Sequence, residues 1–410
     1  MGRIVQKFGG TSVGSVERIK NAADRVLEEV KQGNEVVVVV SAMGKTTDTL
    51  VGMAREISPF PNKREMDMLL TTGEQVTISL LSMELNERGH EAVSYTGWQA
   101  GIQTEAVHGN ARITEVGAGR IENSLKEGKI VIVAGFQGIA AGEITTLGRG
   151  GSDTTAVALA AALKADKCDI YTDVTGVYTT DPRYVEGARK LLSVSYDEML
   201  ELANLGAGVL HPRAVEFAKN YNMPLEVRSS MEREPGTIIE EEASMEQSLI
   251  VRGIAFEDNI TRISVLGLSP GGKGISSIFT ALAKNHINVD IIIQSVTEGS
   301  ETGLSFSVKT EDVKEVLDVL NSHKEAIAFD RIETERGLSK VSIVGSGMVS
   351  NPGVAAEMFE VLAQEEIAIK MVSTSEIKVS AVVAQDKMLP AVSSLHKAFN
   401  LSEALAIETK

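Results

Sequence analysis

The chain has 410 residues, 43% of them apolar, and 56 acidic against 40 basic side chains give a formal charge of −16. At roughly 150 residues per domain, about three domains are expected. The acidic balance argues against nucleic acid or an anionic membrane as the main partner, since both need clustered Lys and Arg. Cys168 is the only cysteine, so an intrachain disulfide is excluded and a reducing cytoplasm fits. No apolar run approaches the ~20 residues that span a bilayer, and no signal peptide is expected after Met1.

Taken in chain order, Arg3–Phe8 reads as a strand ending at Gly9-Gly10. A helix follows from about Ser15, because Val16, Ile19, Ala23, Val26, Leu27 and Val30 recur at three- and four-residue steps, with Gly33 as its stop. Glu35–Val40 is β-branched and apolar almost throughout, as a strand buried on both faces of a parallel sheet must be. Lys129–Ala134 repeats that pattern and Asp169–Val174 is a weaker case. The alternation predicts an α/β class: a mainly parallel sheet sandwiched by helices over residues 1–230. Glutamates crowd around Pro235-Gly236, so 231–247 is expected to be an exposed linker.

Beyond it lies an internal repeat. Residues 279–295 align without gaps to 359–375, an offset of 80, and 263–267 align to 341–345, an offset of 78. Each copy reads strand, Gly-rich turn, helix, strand, then a further strand and helix. That length and order suit a duplicated α+β domain, bounded here at 248–338 and 339–410, with the terminal strand left open to return to the first copy.

Three segments carry chemistry. Residues 7–14 join the first strand to the first helix, where glycines let backbone amides approach a phosphate and Lys7 supplies a cation. The alternative is a Gly-rich turn beside a surface lysine. No Walker A loop occurs anywhere. The formal G-x-S-x-G at Gly10–Gly14 is discounted as a nucleophile elbow, since only one strand precedes Ser12. In 145–155, amides of Gly150, Gly151 and Ser152 can form an anion nest, Arg149 can grip a carboxylate, and Asp153 can orient a lysine; the bland reading is a helix cap. In 172–183 a strand feeds a polar loop in which Tyr178 can meet a base or ribose, and Asp173 and Arg183 hydroxyls or phosphates. His and Cys ligands have no useful metal spacing, so a metal is expected only as Mg²⁺ arriving with a nucleotide.

In this order and spacing, KFGGTSVG at 7–14, TTGE at 71–74, TTLGRGGSDTTA at 145–156 and TDVTGVYTTDPR at 172–183 resemble the aspartate kinases of the amino-acid kinase superfamily, of the monofunctional bacterial lysine-pathway type. The repeat, with STSEIKVS at 373–380, resembles that family's paired, ferredoxin-like ACT domains. The resemblance implies ATP- and Mg²⁺-dependent phosphorylation of the L-aspartate side chain to 4-phospho-L-aspartate, with feedback by lysine, or by threonine alone or with lysine. It implies Lys7 and Asp153 as catalytic residues. It gives ATP to Lys7, Phe8, Gly9, Gly10, Ser41, Thr172, Asp173, Tyr178, Asp181 and Arg183. It gives the substrate to Thr47, Glu74, Arg149, Gly150, Gly151 and Ser152. The implied effector residues are Gln294, Asn351, Gly353, Val354, Ser373, Thr374, Ser375 and Glu376. Two departures stand out: Gly208 replaces a lysine that many relatives carry, and the first repeat's turn, 269–274, is further from the Pro-Gly effector turn than 350–354. A homo-oligomer through the ACT domains is implied, and Met245 suits an internal start for a separate regulatory subunit. The competing readings are a sister kinase for another small acid and a catalytically silent amino-acid sensor.

Overall fold

Strand Arg3–Phe8 is hydrogen-bonded in parallel to Glu35–Val40 on one side and to Lys167–Thr172 on the other. These three lie inside an eight-stranded sheet. Its spatial order is Ser193–Ser195, Thr237–Glu240, Leu225–Ser229, Lys167–Thr172, Arg3–Phe8, Glu35–Val40, Ile130–Ala134 and Ala92–Tyr95. Only Leu225–Ser229 against Thr237–Glu240 runs antiparallel. The computed structural model describes residues 2–206, 208–241, 250–268, 273–295 and 302–402. They form two units, the first holding 2–178, 190–204 and 208–241, the second the remainder.

In the first unit the expected two-sided burial holds: Val36 is 2% exposed and Val37 to Val40 are 0%. Val36, Val38 and Val40 join Ile19, Val26, Leu81 and Leu85 in one core, which places helices Val16–Lys31 and Thr72–Glu87 over that face. Ser15 caps the first of these helices, its side chain accepting from the Arg18 amide. Helix Gly151–Ala162 packs on the same central strands. It is buried along its length from Gly151 to Ala160, and its small residues allow that close approach. A smaller four-stranded sheet, Ile113–Val116, Ile102–Thr104, Gln137–Ala140 and Glu143–Thr146, carries the loops that complete one side of the cleft described below.

The second unit is built on one six-stranded antiparallel sheet, in the order Ile292–Ser295, Thr302–Lys309, Gly253–Leu268, Arg331–Val344, Lys378–Ala384 and Met371–Thr374. Each half of the repeat closes its own core. Ile263, Val265, Ile278, Leu282 and Phe306 form one, and Val341, Ile343, Met358, Leu362 and Val383 the other. The long central strands bend this simple pairing. Gly253–Glu257 lies upstream of the first repeat yet pairs with Lys340–Val344, so Ile254 enters the second core.

Two segments differ from the sequence expectation. The stretch 231–247, read as an exposed linker, contributes Thr237–Glu240 to the main sheet, with Thr237 and Ile239 fully buried. The glutamates that suggested a connector sit beside a short strand whose inward positions are apolar or hydroxyl-bearing. Within 172–183, the chain from Thr179 onward belongs to the second unit. There the Ile254 amide donates to the Thr179 carbonyl at 2.7 Å and Val185 enters the second core. Met245, residues 242–247 of the expected linker, residues 269–272 and residues 403–410, where the expected terminal strand would fall, lie outside the described residues. Among the described residues no helix is long and apolar enough to cross a membrane.

His396, 1% exposed, places Nε2 2.9 Å from the Thr179 hydroxyl. Burial, reinforced by the charge of Arg189, holds its pKa below the usual value. A histidine with a lowered folded pKa stabilises above its unfolded pKa of about 6.5, and that stability is lost as pH falls. The stabilisation that His396 contributes is therefore expected to shrink as pH is lowered from about 8 to about 5.5, so the melting-temperature gap between wild type and His396→Gln should change over that range. An identical pH profile in the variant would remove His396 from the account.

Candidate active site

Parallel sheets gather ligands at the carboxyl ends of their strands, and here four neighbouring ends meet. They are the ends of Arg3–Phe8, Glu35–Val40, Ile130–Ala134 and Lys167–Thr172. Backbone bonds lace them together: Ser41 donates to the Phe8 carbonyl at 3.1 Å, Gly135 to Val40 at 3.0 Å, and Gly9 to Tyr171 at 3.2 Å. Above the first three opens a cleft of about 890 Å³.

Lys7 and Asp153 form its charged centre. Lys7 Nζ lies 2.5 Å from Asp153 Oδ1, and the two side chains are only 12% and 11% exposed. Both line the cleft with Gly9, Gly10, Ser41 and Thr47. Asp153 stands in the first turn of helix Gly151–Ala162. The Ser152 and Asp153 amides find no acceptor among the described residues, so the helix offers free N–H groups and its positive end to an anion.

Glu74, 3% exposed, belongs to helix Thr72–Glu87. That helix can approach loop 41–44 because residue 73 is glycine: a Cβ there would lie 2.8 Å from the Cβ of Ala42. Glu74 Oε1 accepts from the Ala42 amide at 3.1 Å, while Oε2 is buried without a partner. Burial outweighs these backbone hydrogen bonds and pushes the carboxyl up to about 8. Arg149 is exposed, lines the same cleft, and makes no ion pair or hydrogen bond among the described residues. Arg55 and Lys63 line it too, whereas Gly208 does not.

Gly150 caps the helix in the left-handed conformation, φ 67, and a Cβ there would lie 2.1 Å from Cγ of His211. Gly150→Ala is accordingly expected to lose about 3 kcal/mol of stability through strain and overpacking, and to weaken binding in the cleft. A wild-type melting temperature and substrate KM would refute this.

The structure brings together Lys7, Gly9, Gly10, Ser41, Thr47, Glu74, Arg149, Gly150, Gly151, Ser152 and Asp153. Phe8 is different. Its side chain is fully buried and stacked on Tyr171, centroids 4.6 Å apart, its carbonyl is taken by Ser41, and it does not line the cleft. An alternating strand that aims Lys7 at the cleft must aim Phe8 into the opposite core. Thr172, Asp173 and Tyr178 follow the adjacent strand end but do not line the cleft. Thr172 bonds the Asp173 carboxylate at 3.1 Å and the Tyr178 hydroxyl bonds Thr175 at 2.7 Å. Asp181 and Arg183 pair with each other at 2.6 Å in the second unit. Among the effector residues, Ser373 and Thr374 lie on one edge strand of the six-stranded sheet and Gln294 on the other. Asn351 and Gly353 precede helix Val354–Gln364, Val354 is buried, and Ser375 and Glu376 follow the Ser373–Thr374 edge.

Asp67, His108 and Phe136 also line the cleft and were not singled out from sequence. Phe136 adopts a left-handed φ of 69, a strained conformation of the kind found at functional sites. A lone His-Gly-Asn in a polar loop was the one signal for His108.

Residues 2–229 match the amino acid kinase family, and 271–323 and 341–399 each match the ACT domain. An aspartokinase of Bacillus sp. (strain MGA3) is 72% identical over 98% of both chains. The crystal structure of E. coli aspartokinase III in complex with aspartate and ADP (R-state) is 29% identical, with a TM-score of 0.82 over 96% of this chain and 99% of that one. The same enzyme in complex with lysine and aspartate (T-state) gives 0.74 at 29% identity over 98% and 99%. A cleft at the carboxyl edge of a parallel sheet, a Lys–Asp pair over a helix N-terminus and a duplicated second unit thus converge with these similarities: the chain belongs to the amino acid kinase family and, within it, to the aspartokinases.

Proposed function

We propose that the cleft transfers the γ-phosphoryl group of ATP to the side-chain carboxylate of L-aspartate, giving 4-phospho-L-aspartate and ADP. The observation that carries this is the buried, unpartnered Oε2 of Glu74 in one cleft with the Lys7–Asp153 pair and the unpaired Arg149. An α-amino acid supplies what they lack. Its ammonium meets Glu74, its α-carboxylate meets Arg149, and its side-chain carboxylate is left facing Lys7. That carboxylate is already an anion, so no general base is needed. One of its oxygens attacks phosphorus as the bond to the β–γ bridging oxygen breaks and ADP takes the electron pair. Catalysis then rests on positioning and on neutralising charge spread over the transferring group. Lys7, the free amides of Ser152 and Asp153, and the glycine-flanked loops supply that neutralisation, while Asp153 holds Lys7 in place and Thr47 borders the substrate.

ATP lies along Gly9, Gly10 and Ser41, with Thr172, Asp173 and Tyr178 beyond the neighbouring strand end. Mg²⁺ would accompany it, held mainly by phosphate oxygens; Asp153 and Asp48, both lining the cleft, are oxygen donors of the kind it accepts. The lysine absent at Gly208 leaves Arg55 and Lys63 as the further cations available to the phosphates. In the second unit we assign lysine, with threonine as the alternative, to Asn351, Gly353, Val354 and Ser373 to Glu376. Gln294 stands on the opposite edge strand, so it joins them only across two copies of the chain, which favours a homo-oligomer through these modules. A separate subunit begun at Met245 and action in the cytoplasm complete the reading. The test is ATP- and Mg²⁺-dependent acyl phosphate, trapped with hydroxylamine, with L-aspartate as acceptor and lysine and threonine added singly and together. Lysine-suppressed product supports both parts. ATP turnover with another acid but none with aspartate would reassign the substrate, and no turnover at all would favour a silent sensor.

A further inference from the structure

Helix Lys63–Leu70 carries Asp67 inward, where none of the residue is exposed. Its Oδ1 accepts from the Thr146 hydroxyl at 2.6 Å and the Gly109 amide at 3.1 Å, and its Oδ2 lies 2.7 Å from His108 Nδ1. With the carboxylate acting as acceptor, Nδ1 carries a proton and the ring is fixed. Its other nitrogen, Nε2, makes no hydrogen bond among the described residues, and the side chain, 28% exposed, lines the cleft. An imidazole oriented by a buried carboxylate, with its far nitrogen open to a binding cleft, is a recurring way to present one polar atom to a ligand.

The loop bearing His108 is tied to the loop bearing Arg149. Arg213 Nη1 donates to the Leu147 carbonyl at 3.0 Å and Nη2 to Asn110 Oδ1 at 2.7 Å, so one guanidinium spans both loops. Ala111 adds a backbone bond to Thr146 at 2.9 Å. His108 therefore belongs with Arg149, whereas Lys7 stands at the end of a central strand. The cleft already offers Glu74 to an ammonium. In its imidazolium form a histidine donates from both nitrogens, so His108 can give Nδ1–H to Asp67 and Nε2–H to a carboxylate gripped by Arg149.

We propose that His108 is a specificity-determining residue that holds the α-carboxylate of aspartate beside Arg149, with Asp67 as its positioning residue. The proposal rests on aspartate occupying this cleft as set out above. The test separates the two ring nitrogens. In His108→Asn the amide stands where Nδ1 does and still meets Asp67, but nothing reaches the position of Nε2. That variant is expected to raise the KM for aspartate about tenfold or more, with the KM for ATP, kcat and melting temperature near wild type. His108→Gln, whose amide reaches the Nε2 position, should recover part of the loss. A wild-type aspartate KM in His108→Asn overturns the proposal, and so does a rise confined to the ATP KM or a fall in kcat or stability alone. Arg149→Ala is the reference: if its aspartate KM is also unchanged, the substrate placement itself fails, whereas a raised KM there with none in His108→Asn removes only His108.

Discussion

Replacing Lys7 with alanine is expected to lower kcat by about 10³-fold, the loss typical when one preorganised charge is withdrawn from a transferring phosphoryl group. The fold should persist, since Lys7 stands next to the end of its strand and the strand's packing comes from Val5 and Phe8, both 0% exposed. The effect belongs on kcat rather than on aspartate KM, because the charge that Lys7 meets grows as phosphorus moves between oxygens. Asp153 makes the argument sharper. In Lys7→Ala its carboxylate, 11% exposed, loses the cation 2.5 Å away, leaving a poorly solvated negative charge at the point where phosphate must approach. In Asp153→Asn the cation survives without its tether, so a smaller fall in kcat, of about 10- to 10²-fold, is expected. The double variant should fall no further than Lys7→Ala, because the pair acts as one device. Single-turnover acyl phosphate formation measures all three. Wild-type-like turnover in Lys7→Ala would remove Lys7 from the mechanism, and strictly additive losses would remove Asp153 as its anchor.

The residues that made the catalytic centre legible in the sequence are close in the chain and chemically unusual. Lys7 is the penultimate residue of a short strand that runs straight into Gly9-Gly10, and Arg149 to Asp153 pack four chemical types into five positions. The amphipathic repeat of Val16–Lys31 and the valines of Glu35–Val40 declared their burial through period alone. Asp67 gave no such sign. Its partners, His108 and Thr146, stand 41 and 79 residues away, and an acidic residue in K-R-E-M-D-M reads as solvated helix surface until tertiary contacts close over it. Phe8 is the opposite case. It lies inside a recognisable motif, but alternation along the strand turns it away from the motif's chemistry. Thr237–Glu240 and Thr179–Arg189 were hidden by composition: turn residues and glutamates mark exposure locally, and they do not show which neighbouring strand or core will claim the few apolar positions between them.

Glu74 sets the strongest pH dependence. Burial places its pKa at about 8 in the free enzyme, so below that pH the carboxyl is mostly protonated and cannot pair with an ammonium. Aspartate binding must then release a proton, nearly one per molecule at pH ~6.5 and almost none above pH ~9. Through Glu74 the apparent KM for aspartate should consequently fall as pH rises from about 6.5, by up to about tenfold per unit, and level off above about 8; His108→Asn, which has no imidazole beside the α-carboxylate, is the background in which this profile is read. Calorimetric titration in buffers of different ionisation enthalpy counts the proton directly. Glu74→Gln should raise the KM by roughly 10²-fold or more and erase this pH dependence. Stability moves in the other direction. The folded pKa lies above the unfolded value of about 4.3, so the folded protein keeps a proton that the unfolded chain sheds. That contribution is full below the unfolded pKa and is lost as pH rises through about 8. At pH ~9 the ligand-free Glu74→Gln protein should therefore be more stable than wild type by on the order of a few kcal/mol, and saturating aspartate should narrow the gap by giving the wild-type carboxylate its partner. A buried carboxyl kept with one oxygen unpartnered is accounted for by a cation that arrives to use it. If the variant matched wild type in both alkaline stability and the pH profile of aspartate KM, Glu74 would be an ordinary buried acid and the ammonium would have to be held elsewhere.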